Sequence, residues 1–400
     1  MPVSPIRILL AISVLAAGAC STTPPPPATS QAQAAGCASS SVVIAFDFEG
    51  ASQSRCSADG ERAFTIVVSP EHAPPINPSP WYAFRYVAAP GGPDSPDDGV
   101  SITLRYEGAE HRYPPEWRAG SELRMPEVSL SPDGLEASFV VTAGSATVSA
   151  QELFGVDRHA ALLARLAARE GNTRLTLGYS REGRPIEALT MGSPNAPHLV
   201  ILLGRAHPPE VSGAVAMEGF LLQLADAMAD GRLDGARFQI LAVPLLNPDG
   251  VVRGHWRANT GGIDLNRDWG SFTQPETRAV KQWLDALPAN VAPLVMLDFH
   301  STRQNLFYVQ GDGETNAVQE RFLSQWLAGQ EQAITGYPFT IERRNANPGS
   351  GTSKNWFFAQ YNIPAYTYEV GDETDRDAAM LAAQELAQRF VAATEGLTQD

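Results

Sequence analysis

Positive charge is scarce in this chain of 400 residues: Lys281 and Lys354 are its only lysines, and 29 basic side chains face 44 acidic ones, for a net charge of −15. A phosphate backbone is held by surplus Lys and Arg, so this balance excludes nonspecific nucleic-acid binding. It says nothing about the fold. Cysteine is nearly absent, with Cys20, Cys37 and Cys56 the only three. The apolar run from Ile8 to Ala17 is too short for a membrane-spanning helix. Internal repeats are missing as well. What is present is 44% hydrophobic residues, enough for a large core. The length suggests two domains once a leader is set aside.

Residues 1–20, MPVSPIRILLAISVLAAGAC, read as a secretory leader: one Arg, the apolar run, then small residues ending at Cys20. AAGAC resembles a bacterial lipoprotein cleavage box, with Ala17 where leucine is commoner. A lipid on Cys20 and a periplasmic or outer-membrane-anchored protein are therefore expected, with ordinary signal cleavage nearby as the alternative. Residues 21–40 open with STTPPPPATSQAQAAG, a composition that cannot pack and serves as an extended tether. Export implies an oxidising compartment, in which Cys37 and Cys56 can close a disulfide worth roughly 3 kcal/mol. No pro-segment stands out.

Across residues 41–150 the runs SVVIAFDFEG, RAFTIVVSP, WYAFRYVAA, SITLRYEG and ASFVVTAGSATVSA are aromatic and β-branched and are separated by Gly, Pro, Asp and Asn. They predict a small antiparallel β-sandwich. From 151 to 400 the pattern changes. An amphipathic helix within VSAQELFGVDRHAALLARLAARE and a hairpin, RLTLGYSREGRPIEALTMG, precede the wholly apolar strands HLVILLG, FQILAVPLLN, PLVMLDFH and AYTYEVG. Helices such as AVAMEGFLLQLADAM, PETRAVKQWLDAL and DAAMLAAQELAQRFVAA alternate with them or follow. This is the signature of an α/β/α domain with a mixed, largely parallel central sheet. Ligands in such sheets sit beyond the strand C-terminal ends, where His207, Asn247 and His300 fall.

A hydrolytic zinc site takes three His or carboxylate ligands and leaves a position for water. HPPE offers His207 and Glu210, and LDFHST offers His300 at the end of its own strand. A lone H-x-x-E is a weak signal; joined to a strand-end histidine it is stronger. Between them, NPDGVVRGHWRANTGGIDLNRDWG carries Arg253, Arg257 and Arg267, whose guanidinium forks suit a carboxylate or an oxyanion. A solvated loop making surface ion pairs is the plainer account of that segment.

Taken in order, H-x-x-E, NPDG, WR, DLNRDW, the strand-end FHS and the late TYEVGDE resemble the zinc metallocarboxypeptidases, most nearly their cytosolic-carboxypeptidase-like branch. INPSPWYAFRYVA looks like the aromatic strand of the β-sandwich that precedes the catalytic domain there. The resemblance spans about residues 41–395 and implies hydrolysis of the C-terminal peptide bond of peptides, with one Zn2+ held by His207, Glu210 and His300. It implies Glu369 as general base, Arg257 as oxyanion stabiliser, and Asn266 with Arg267 on the substrate's terminal carboxylate. Asp264 would fix the His207 tautomer. Asp298 shares a strand face with His300 by alternation and is a candidate partner for it, or else a buried ion-pair partner. An acidic surface cluster of Glu369, Asp372 and Glu373 is the competing account of Glu369. His72, His111, His159 and His198 read as structural or exposed, and His255 as a weak candidate for substrate contact.

The chain departs from the family where a tyrosine is expected before a G-x-S segment: RRNANPGSGTSKNW places Asn347 there. Pro209 stands where the nearest branch usually has glycine, stiffening the ligand turn. The same alignment puts Lys354 in the specificity pocket, where a cation would favour C-terminal Glu or Asp. Two rival readings remain. One is a zinc amidohydrolase of the aspartoacylase or desuccinylase type; the other is a lipoprotein that binds peptides or cell-wall material without cleaving them.

Overall fold

The structure, a computed structural model, describes residue 1 and residues 36–52, 54–72, 77–89 and 99–398. The leader, the lipidation candidate Cys20 and most of the tether lie outside the described residues. Among those described, no helix is long and apolar enough to cross a membrane.

Period-two alternation builds the first unit. Val100–Tyr106 buries every second residue, and two sheets close over the resulting core. The six-stranded sheet runs in the order Cys37–Ala38, Val42–Ala45, Ala83–Ala88, Gly144–Ser149, Glu116–Ala119, Glu122–Arg124. The five-stranded sheet runs Arg55–Ala58, Ala63–Val68, Val100–Tyr106, Glu136–Val141, Ser129–Leu130. Every strand pair is antiparallel except Ala63–Val68 with Val100–Tyr106, which is parallel. That pair is possible because the chain crosses into the other sheet as Ala83–Ala88 before returning. ASFVVTAGSATVSA is two strands in different sheets, with Gly144 at φ 123° at the corner. Cys37 and Cys56 form a disulfide that ties an edge strand of one sheet to an edge strand of the other.

The second unit is an eight-stranded sheet in the order Asn172–Tyr179, Pro185–Met191, Phe238–Val243, His198–Gly204, Ala292–Thr302, Ala365–Gly371, Leu306–Gln310, Thr340–Arg344. Its centre, from Phe238–Val243 to Ala365–Gly371, is parallel. HLVILLG is apolar throughout because it is covered twice. Val200 and Leu202 pack towards helices Val211–Ala229 and Arg376–Gly396. Leu199, Ile201 and Leu203 pack towards Pro275–Asp285 and Ser353–Tyr361. Each such buried side chain contributes about 1.5–3 kcal/mol. The strands Leu306–Gln310 and Thr340–Arg344 and the helices Ala317–Trp326 and Ser353–Tyr361 are not among the elements expected from sequence. The two strands and Ser353–Tyr361 follow neither period cleanly, whereas Ala317–Trp326 carries a signal that was missed, burying Gln319, Phe322, Leu323 and Trp326 at helical spacing behind an Asn316 capping box. The two units share a core, since Val211, Ala214, Val215 and Trp256 pack into the sandwich cluster.

Candidate active site

Strand register brings the chemistry together. In the parallel centre, Leu203 pairs with Asp298 and His300 with Glu369, so the strand carrying the general-base candidate lies directly beside the one carrying a ligand candidate. His207 follows the strand His198–Gly204 on a tight turn, and Glu210 caps helix Val211–Ala229, placing a carboxylate at the positive end of the helix dipole. That helix starts close against the strand end because residue 213 is glycine: a Cβ there would lie 2.4 Å from the His300 carbonyl oxygen.

The ligand turn is held from behind. Arg205, buried and at φ 51°, donates from Nη2 to the Pro208 carbonyl at 2.6 Å and from Nη1 to the Phe154 carbonyl at 3.2 Å. A non-glycine residue held in this region costs of order 1–3 kcal/mol. Asn247 accepts from Gly250 N and donates to the Ala206 carbonyl, so NPDG acts as a brace for HPPE. Asp249, fully buried, accepts from Ser180, Glu182 N, Arg184 and Thr260. The polar richness of this stretch is therefore largely structural.

His207, Glu210 and His300 converge, their ligand atoms within 4.8 Å of one another and all three buried. Glu210 faces the Nδ1 of each imidazole at 2.7 Å. The other ring nitrogen of His207 meets Asp264 at 2.9 Å, and that of His300 meets Asp298 at 3.0 Å. Each imidazole thus has a carboxylate behind it, which sets its tautomer and leaves Nδ1 for a metal. Burial would raise the Glu210 carboxyl, but the imidazoles of His207 and His300 outweigh it and hold the group well below the usual range. Burial alone would lower the imidazole of His300, yet Asp298 and Glu210 raise it well above its ordinary value. Acidic oxygens thus surround a spot that favours positive charge, and the donor set is one that zinc takes.

Glu369 lies beside this cluster with its Oε2 buried and unpartnered, and burial pushes its carboxyl up to about 7. The acidic-cluster account does not hold: Asp372 is buried and paired with Arg112 at 2.7 Å, while Glu373 is exposed. Arg257 donates from Nε to Asp264 at 2.6 Å and borders the same cleft. Asn266 accepts from Ser353 N and places its amide 3.3 Å from the His300 ring, and the exposed Arg267 stands next to it. Arg253 does not join them: it pairs with Glu182, as the surface-loop reading would have it. His255 is buried on the Ala258 carbonyl, away from the cleft.

A cleft of about 1240 Å³ opens over the cluster. Lys354 borders it, donating to the Arg344 carbonyl at 2.9 Å, and burial pushes its ammonium down to about 8. Asn347 is exposed at the rim, in a turn closed by Ser350 N. Two contributors were not foreseen. Tyr308 pairs across strands with Thr367 and sits under the Arg344 guanidinium, 5.7 Å from ring to Cζ. Arg112 reaches in from the sandwich, held by Asp372 and Ser79. No periodicity marks either residue, because each meets the site only through long-range packing.

Residues 159–395 match the zinc carboxypeptidase family, peptidase M14. An uncharacterised protein of Zymomonas mobilis is 37% identical over 138 residues, 33% of this chain and 35% of that one. Cytosolic carboxypeptidase 2 of Danio rerio is 31% identical over 157 residues, 36% of this chain and 22% of that one. The chain thus spans about a third or less of the length of these relatives. Among solved structures, a metallo-carboxypeptidase from Burkholderia cenocepacia superposes with a TM-score of 0.72 at 20% identity, covering 89% of this chain and 99% of that one. A metallo-carboxypeptidase from Pseudomonas aeruginosa, in complex with (2-guanidinoethylmercapto)succinic acid, gives 0.69 at 21% identity, covering 88% and 99%. At these identities the likeness to the solved structures is one of fold.

Proposed function

We propose that this chain, which belongs to the zinc carboxypeptidase family, removes single residues from the C-termini of peptides and prefers a terminal Glu or Asp. The observation that carries the reading is the convergence of two imidazoles and a carboxylate, each imidazole backed by its own acid, beside a buried carboxyl with a free oxygen. His207, Glu210 and His300 would hold the zinc. Bound there, it supplies Lewis acidity and lowers the pKa of a water.

The remaining steps belong to the chain's own groups. Glu369, with Oε2 unpaired, accepts a proton from the attacking water and returns it to the leaving amine. Arg257, its Nε fixed on Asp264 and its Nη1 on the Asn77 carbonyl, has Nη2 left for the oxygen of the scissile carbonyl as negative charge develops there. Arg267 and Asn266 take the terminal carboxylate of the substrate, which limits attack to the last peptide bond.

The preference for acidic ends is supported by Lys354, whose ammonium borders the cleft in a part-buried setting where charge is weakly screened. Export and a lipid anchor on Cys20 belong to the same proposal. The Cys37–Cys56 disulfide fits an oxidising compartment.

Metal analysis followed by incubation with a mixed peptide library tests the reading, with mass spectrometry recording which terminal residues disappear. Stoichiometric zinc and chelator-sensitive loss of C-terminal Glu and Asp are expected. Protein without bound metal, or hydrolysis confined to acylated amino acids, would overturn it, the latter in favour of an amidohydrolase.

A further inference from the structure

The segment that carries Arg257 has little regular structure of its own. It leaves the helix Pro248–Arg253 through Gly254 in the left-handed region, φ 62°, and runs without secondary structure past Ala258. Consecutive amides in such a stretch need partners, since an unpaired buried N–H costs about 1–3 kcal/mol. Here the partner comes from the other domain. The Glu71 carboxylate accepts from Trp256 N at 2.7 Å, from Arg257 N at 3.0 Å and from Ala258 N at 2.6 Å. Successive N–H groups turned onto one anion form a nest, here filled by a protein carboxylate.

The sandwich grips the same segment at two more points. The Trp256 indole, 1% exposed, donates to the Trp81 carbonyl at 3.1 Å, and Arg257 Nη1 reaches the Asn77 carbonyl at 3.4 Å. On the catalytic side, Arg257 Nε is fixed by Asp264 at 2.6 Å. The guanidinium is thus aimed from both ends, its backbone by Glu71 and its head by Asp264.

We propose that Glu71 is a positioning residue for Arg257, so that the N-terminal sandwich is part of the catalytic apparatus. This rests on the reading of Arg257 as the group that stabilises the carbonyl oxygen. Losing an oxyanion donor outright costs about 10²–10³-fold in kcat. Loosening the backbone beneath it costs less, about 10- to 100-fold, because the donor is displaced and not removed.

The test uses the full zinc-loaded chain with Glu71→Ala, Glu71→Gln, Arg257→Ala and the double variant Glu71→Ala/Arg257→Ala. Glu71→Ala is expected to lower kcat by about 10- to 100-fold while KM and zinc content stay within about twofold, as the substrate-carboxylate and metal sites are untouched. Glu71→Gln, which keeps an acceptor oxygen, recovers part of the loss. The double variant falls no lower than Arg257→Ala alone, because a positioning residue has nothing left to position. Equal losses from Glu71→Ala with and without Arg257, or zinc loss as its main effect, overturn the proposal. So does an unchanged kcat beside an Arg257→Ala that is impaired. If Arg257→Ala itself keeps full kcat, the reading of Arg257 fails first and separately. Thermal melting is followed throughout, and if Glu71→Ala unfolds under assay conditions, Glu71→Gln carries the same comparison.

Discussion

Lys354→Met tests the specificity pocket with little steric change, since methionine keeps most of the apolar stem. The Lys354 ammonium spends two donors, on the Arg344 carbonyl at 2.9 Å and on Asn355 Oδ1 at 3.4 Å. An ammonium has three, so one remains for a substrate carboxylate. A charge-assisted hydrogen bond of this kind contributes about 1.5–3 kcal/mol, which corresponds to about 10- to 100-fold in kcat/KM for a peptide ending in Glu over one ending in Gln. The substitution should remove that factor while leaving the Gln-ended substrate nearly unaffected, because Arg344 is exposed and water can replace the lost donor at its carbonyl. The pH profile supplies a second reading. Burial lowers the Lys354 pKa to about 8, so the ammonium is charged below that value and neutral above it. The Glu-over-Gln ratio of the wild-type chain should therefore fall as pH rises through about 8, and in Lys354→Met it should be flat. A ratio that survives the substitution, or that is equally pH-dependent in the variant, refutes the assignment of Lys354 to the pocket.

Three further outcomes are expected. Chelation should abolish hydrolysis yet leave the circular dichroism spectrum intact, because the elements that carry His207, Glu210 and His300 are held by strand register and a large apolar core; activity persisting in chelator counts against the metal site. Gly213→Ala forces a Cβ to within 2.4 Å of the His300 carbonyl, so the helix must retreat from the ligand strand. It should lower stability by about 1–3 kcal/mol and weaken zinc retention, and unchanged melting and metal content would show that the close approach is unimportant. Burial raises the Glu276 carboxyl to about 7, above its ordinary 4.5, and its Oε1 has no partner. Its contribution to stability is complete below about pH 4.5 and is lost as pH rises through 7, so Glu276→Gln should match the wild type near pH 4.5 and exceed it by about 1–3 kcal/mol at pH 8 in urea denaturation. An equal difference at both pH values would mean that Glu276 does not titrate between them.

Much of the site is legible in the sequence. HPPE and the strand-end FHS pointed to His207, Glu210 and His300, and alternation along LDFH pointed to Asp298 as the partner of His300. The apolar strands showed a sheet covered on both faces. Where local pattern was mixed, legibility stopped. LFYVQ is a strand because Ala365–Gly371 offers an edge to pair with, and TIERR because LFYVQ then offers its own outer edge, which nothing within five residues reveals. The three arginines of the middle loop looked alike in sequence, yet only Arg257 and Arg267 border the cleft, while Glu182 draws Arg253 away.

The sequence by itself determined the type of the strongly patterned elements and the identity of the metal-ligand candidates, since hydrophobic period and motif spacing act over a few residues and survive without a partner. Tertiary structure alone decided that Arg112 of the sandwich borders the cleft and that Glu71 accepts from the amides of Trp256, Arg257 and Ala258. Those pairings join groups up to 260 positions apart, as Arg112 is from Asp372. Such contacts exist only once burial has brought the two units against one another and low dielectric has made each unpaired charge costly enough to find its partner.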